Sequence, residues 1–160
     1  MTVEPYRPLL TRQWNEKLPF WCVIGLNPST AEADLTGADD PTSRKIRYFV
    51  DRDGGGGFWL VNLHPRRATK PADLFAMPLL ERLGPFPNQI VQQSASQAFH
   101  WGGKVVAAWG ANPKASLRAA EIRQLLQTMR VPLWCWGTNG DGSPKHPLYL
   151  RNNTPLVPYE

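Results

Sequence analysis

The chain is poor in cysteine, histidine and charge. Its two cysteines, Cys22 and Cys135, lie inside apolar runs with no CxxC or Cys–His spacing nearby, so core packing is expected rather than catalysis. The three histidines, His64, His100 and His146, show no metal-ligand spacing. Neither a metal nor an organic cofactor is expected. Charged residues make up 19% of the chain against 42% hydrophobic ones, which fits a globular protein and excludes a disordered one. No apolar run exceeds strand length, so none spans a bilayer. The opening "MTVEPYRPLL" lacks a basic region followed by a long apolar stretch, and a cytoplasmic protein without a secretory signal is expected. With no internal repeat, linker or oligomer signal, one domain over residues 1–160 and a monomer are expected.

What the chain does have is a basic excess. Eighteen Lys and Arg face thirteen Asp and Glu, a net charge of +5. That favours an anionic partner, although a solvated basic surface explains the charge equally well. Arg44, Lys45, Arg47, Arg52, Arg66, Arg67, Lys70, Lys145 and Arg151 lie between apolar runs. Seven tryptophans suit a stacking surface or a rich core, and sixteen prolines imply many defined loops.

Four apolar runs read as strands: "FWCVIGL" at 20–26, "FWLVNL" at 58–63, "KVVAAWG" at 104–110 and "VPLWCWG" at 131–137. They are nearly continuous rather than alternating, which suits a sheet covered on both faces. Helical patterns separate them. Asp40-Pro41 forms an N-cap and N1 pair, after which Ile46, Phe49 and Val50 share a face. Asn88 is a candidate cap for a helix running to about Trp101. Asn112-Pro113 opens another helix, with Ile122, Leu125, Leu126 and Met129 on one side. Strands alternating with helices predict a three-layer α/β/α fold around a four-stranded, mainly parallel sheet. "DGGGGF" at 53–58 leads into a strand rather than a helix, so it is not a dinucleotide-binding loop.

Ligands of open parallel sheets sit outside the carboxyl ends of the strands. The residues expected there are Asn27-Pro28-Ser29-Thr30, then Asn62 and His64, then Trp109 to Asn112, then the loop carrying His146. "GLNPST", "LVNL", "VVAAWGANPK" and "KHPLYL" occur in that order, each beside a predicted strand. Together they resemble the motifs of the uracil-DNA glycosylase superfamily, by way of a family of small bacterial and phage proteins with NPST and HPLY motifs. The resemblance implies a glycosylase-like fold and a monofunctional DNA glycosylase. Such an enzyme flips a pyrimidine out of DNA and hydrolyses its N-glycosidic bond, leaving an abasic site.

Under that resemblance Asn27 holds the attacking water and His146 donates a hydrogen bond to the pyrimidine O2. Asn62 reads the pyrimidine edge with an amide that both donates and accepts. Many family members have Asp at the position of Asn27, and a neutral amide orients water without taking its proton. The mismatch-specific thymine/uracil branch also has Asn there, so slow turnover is expected rather than none. Asp39 or Asp40 is a candidate replacement carboxylate, although Asp40 reads first as a helix cap. Ser29 stands where the strict uracil enzymes carry an aromatic barrier to C5 substituents. A small residue there implies a modified or mismatched pyrimidine, in phage DNA or in repair. Tyr48, Phe49 or Phe58 would fill the vacated space or stack on the flipped base. Leu148 and Tyr149 are a candidate wedge into the base stack, with core packing as the alternative. Lys145 and Arg151 are candidate phosphate contacts. No lysine nucleophile is evident, so strand-cleaving lyase activity is not expected.

Three rivals accompany this reading. One acts on free nucleosides or nucleotides. One is a non-catalytic module that binds DNA or protein. In the third, an unrelated α/β domain, every motif is a turn and no pocket joins Asn27, Asn62 and His146.

Overall fold

A computed structural model describes residues 4–28 and 40–160. The sheet has six strands: β1 (Leu10–Gln13), β2 (Phe20–Gly25), β3 (Gly57–Asn62), β4 (Val105–Ala107), β5 (Leu133–Cys135) and β6 (Val157–Pro158), in the order β1-β3-β2-β4-β5-β6. The inner four run parallel, and β1 and β6 add antiparallel edges. Four of these strands match the four apolar runs of the sequence. The expected four-stranded sheet is corrected to six because the edge strands carry almost no pattern. β1 reads LTRQ, and β6 is two residues long and ends in proline, which edges tolerate.

Among the described residues the helices are α1 (Pro41–Arg52), the single-turn α2 (Pro71–Phe75) and α3 (Leu79–Leu83), then α4 (Pro87–His100) and α5 (Ser116–Thr128). Asp40 caps α1 by accepting a 2.7 Å hydrogen bond from the Ser43 backbone N–H. Asn112 caps a 3-10 turn at Pro113–Ala115 that leads into α5. The cap expected at Asn88 is not formed. The chain enters α4 at Phe86 in a left-handed conformation, and the Asn88 side chain instead binds Arg118 and Glu121.

Successive strand residues point to opposite faces, and two cores result. Trp21, Val23, Phe58, Leu60 and Val106 pack with Ile46, Phe49 and Val50 of α1. Cys22, Ile24, Val61, Val105 and Ala107 pack with residues of α4 and α5. Both cysteines are buried, and burial pushes their thiols up, away from reactivity. The glycine run before β3 also finds its physical reason. A side chain at Gly56 would collide with the Asn15 carbonyl, and one at Gly57 would meet the Arg12 carbonyl at 2.6 Å. These glycines let the turn after β1 lie against the start of β3. Among the described residues, no helix is long and apolar enough to cross a membrane.

This topology makes a crevice. The chain leaving β2 reaches α1 on one face of the sheet. The chains leaving its neighbours β3 and β4 reach α4 and α5 on the other face. Connections that part in this way leave open space at the carboxyl ends of the strands.

Candidate functional site

A cavity of about 290 Å³ occupies that crevice. It is near the lower end of small-ligand pockets, which run from about 300 Å³ upward. The ends of β2, β3 and β4 supply its floor through Asn27, Asn62 and Ala108, and the His146 turn closes one side. Asn27, Asn62 and His146 therefore share one pocket, contrary to the rival in which every motif is only a turn.

Asn27 lies two residues past the end of β2. Its Nδ2 donates to the carbonyls of Ala68 (2.9 Å) and Pro28 (3.0 Å). A flipped amide would set oxygen against two carbonyl oxygens, so the orientation is fixed. The side-chain oxygen is then the group with acceptor capacity to spare. A neutral acceptor held in this way can orient a water molecule.

Asn62 is the last residue of β3 and is 3% exposed. It shares strand parity with Phe58 and Leu60, so it points to the α1 side, where the cavity lies. Its Nδ2 is buried and has no hydrogen-bond partner. A Cβ at Gly25, its partner across the β2–β3 ladder, would come within 2.8 Å of the Asn62 Oδ1. Glycine at position 25 is what lets the amide seat against β2, a close approach of the kind that marks strand glycines.

His146 begins the 3-10 turn Pro147–Tyr149 and is open to solvent at the rim. Its Nδ1 accepts from the Leu148 N–H at 3.2 Å, so the neutral ring carries its proton on Nε2. Loss of hydration lowers its pKa from the usual imidazole value, opposed by the negative charge of Asp40. The loop beneath it is held by Lys145 N–H donating to the Gly137 carbonyl and by the Tyr159 hydroxyl donating to the Gly142 carbonyl.

Other expected site residues are distributed unevenly. Leu148 lines the cavity beside His146, while Tyr149 projects outward at 89% exposure, so the two do not pack into the core together. Lys145 and Arg151 are exposed on either side of this turn. Tyr48 is half exposed and edge-on to Phe49, and Phe58 is fully buried beside Trp14; neither lines the cavity. Ser29, Thr30 and Asp39 lie outside the described residues. His64, expected at the rim, is buried edge-on to Phe75. Several basic residues are already engaged: Arg52 with Asp53 and the carbonyls of Asn152 and Thr154, Lys45 with Asn152, and Arg66 with Glu81. Among the described residues, no cluster of His, Cys, Asp and Glu has the arrangement of a metal site.

The cavity residues not singled out from the sequence as site residues include Arg7, Gly25, Thr42 and Thr69. Gly25 was detectable, because a lone glycine inside a strand pattern signals close approach. Arg7 and Thr69 lie in segments without periodicity, and Thr42 opens α1, where its place on the cavity wall depends on how that helix docks.

The fold and cavity define an α/β protein with a mixed, mostly parallel six-stranded sheet and a crevice at its carboxyl rim, largely apolar, into which Asn27, Asn62, Asp40 and His146 bring polar groups. The chain belongs to the family described as proteins of unknown function DUF1643, whose model matches residues 7–148. That span takes in every described residue lining the cavity. No curated protein and no solved structure matches the chain.

Proposed function

We propose that this protein is a monofunctional DNA glycosylase. It receives a flipped, modified or mismatched pyrimidine in the cavity and hydrolyses the N-glycosidic bond, leaving an abasic site. In this reading the sheet, with helices on both faces, is a version of the three-layer fold of the uracil-DNA glycosylase superfamily. The observation that carries the reading is the unpartnered, buried donor of Asn62, in one cavity with the fixed acceptor of Asn27 and the Nε2–H of His146. Buried polar groups normally find partners, and one left without suggests a ligand that supplies it.

The chemistry follows from the donors. Asn62 Nδ2 and His146 Nε2–H both need acceptors, as the O4 and O2 of a 2,4-dioxopyrimidine provide. Negative charge grows on the base as it leaves, and His146 stabilises it at O2. Asn27 orients the water that attacks the sugar. Tyr149 protrudes beside the cavity mouth and suits the gap left by the flipped nucleotide. Lys145 and Arg151 flank it as phosphate contacts. Phage DNA with substituted pyrimidines and mismatched repair substrates both fit a cytoplasmic, monomeric enzyme of this kind.

The test is base release from duplexes carrying uracil, mispaired thymine, 5-hydroxymethyluracil, 5-hydroxymethylcytosine or its glucosylated form. Abasic sites should form on at least one of them and be lost with Asn27→Ala. DNA binding without release from any would leave a non-catalytic module.

One observation favours a second reading. Arg7, 8% exposed, lines the same cavity. A buried guanidinium suits the phosphate of a free nucleotide, and base release from pyrimidine mononucleotides faster than from DNA would select that reading.

A further inference from the structure

The proposed chemistry lacks a negative charge. Position 27 carries an amide, so nothing in the reading above takes the proton of the attacking water or faces the cationic sugar. Among the described residues lining the cavity, Asp40 is the one carboxylate. We infer that Asp40 is the catalytic carboxylate of this site, in addition to capping α1. The inference rests on the glycosylase reading.

The cap does not exhaust Asp40. Its Oδ1 accepts from the Ser43 N–H, while an ionised carboxylate has about four acceptor sites on two oxygens. The cap instead fixes the side chain, because the backbone of Asp40 is held extended and the first turn of α1 is clamped by Pro41. The Pro147–Tyr149 turn packs against α1, which brings the His146 end of the cavity to the helix that Asp40 begins. The charge of Asp40 reaches the imidazole and opposes the effect of lost hydration on it.

The step balances as follows. The water oxygen bonds to C1′ while the C1′–N1 bond breaks and its electron pair leaves with the base. His146 Nε2–H holds the base at O2. The water's proton passes to the Asp40 carboxylate, and the departed base anion recovers a proton through solvent. Asn27 Oδ1 accepts a hydrogen bond from the same water and aims it. The carboxylate that many members of the superfamily this chain resembles carry at the position of Asn27, just past β2, would here come from the N-cap of α1.

Asp40→Asn separates the two roles, because asparagine caps a helix as well as aspartate does but carries no charge. The inference predicts an unchanged melting temperature and base release slowed by about 100-fold or more. It also predicts a lower His146 pKa by NMR titration, since the opposing charge is gone. Asp40→Ser, another good cap, provides the same comparison should the asparagine variant fold poorly. Wild-type release rates in a folded Asp40→Asn or Asp40→Ser protein would overturn the inference and leave the glycosylase reading standing. An unchanged His146 pKa would overturn the placement of the charge without any substrate. Absence of base release by the wild type on every substrate would overturn the glycosylase reading, and the inference with it.

Discussion

A buried amide donor without an acceptor costs about 1–3 kcal/mol, and Asn62 carries one at the floor of the cavity. In the proposed reading the O4 of the flipped base offsets that cost. Asn62→Leu removes the unpaired group and keeps the volume, so the variant should be at least as stable as the wild type by denaturant unfolding, while base release is abolished. A loss of stability above about 1 kcal/mol would mean that the amide supports the fold instead. Asn27 and Asn62 were legible in the sequence because they stand at or just past a strand end, and His146 because a proline follows it and opens a turn. Tyr48 and Phe58 were not assignable in the same way. Phe58 shares strand parity with Leu60 and turns into the α1 core, whereas Tyr48 lies on the outer side of α1. Asp40 was legible as a cap because capping is local, but its place on the cavity wall depends on where α1 docks.

Elements decide how well these residues are aimed. β2 and β3 run parallel with Gly25 paired to Asn62, and the missing side chain at 25 gives the Asn62 amide its seat. Gly25→Ala should therefore displace that amide. The expected result is a raised KM for base release, with little change for substrates that do not use the Asn62 contact. Full activity in a folded Gly25→Ala protein would show that the amide has room to move. The parallel core of the sheet was readable because strands buried on both faces are nearly continuous apolar runs. The edge strands were not, since β1 alternates weakly and β6 is held by pairing with β5 rather than by its own sequence. The start of α4 was misread at Asn88 because the left-handed Phe86, not a polar cap, turns the chain into the helix.

At the scale of the whole molecule, charge and pH set the remaining expectations. His64 is buried with neither ring nitrogen bonded, and burial, with Arg82 and Arg118 nearby, lowers its pKa from 6.5 to about 4. The unfolded chain takes up this proton near pH 6.5 and the folded chain only near pH 4. The stability contributed by neutral His64 is thus complete above pH 6.5 and is lost as the pH falls toward 4, by about 3 kcal/mol. Denaturant midpoints across that range should fall steeply for the wild type and less for His64→Phe, and equal slopes would contradict the assignment. The basic excess should appear as salt-dependent DNA binding, and Arg151→Ala should lower the slope of log affinity against log salt by about one. The central claim is that a flipped pyrimidine docks on Asn62 in the crevice. It is tested most directly by following the Asn62 side-chain amide by NMR while the protein is titrated with a duplex. The duplex should carry a 2′-fluoro pyrimidine nucleotide, which resists cleavage. The Asn62 Nδ2 protons should shift and become protected from exchange when the base is a 2,4-dioxopyrimidine. An amide that stays unchanged while the DNA is bound would contradict the account.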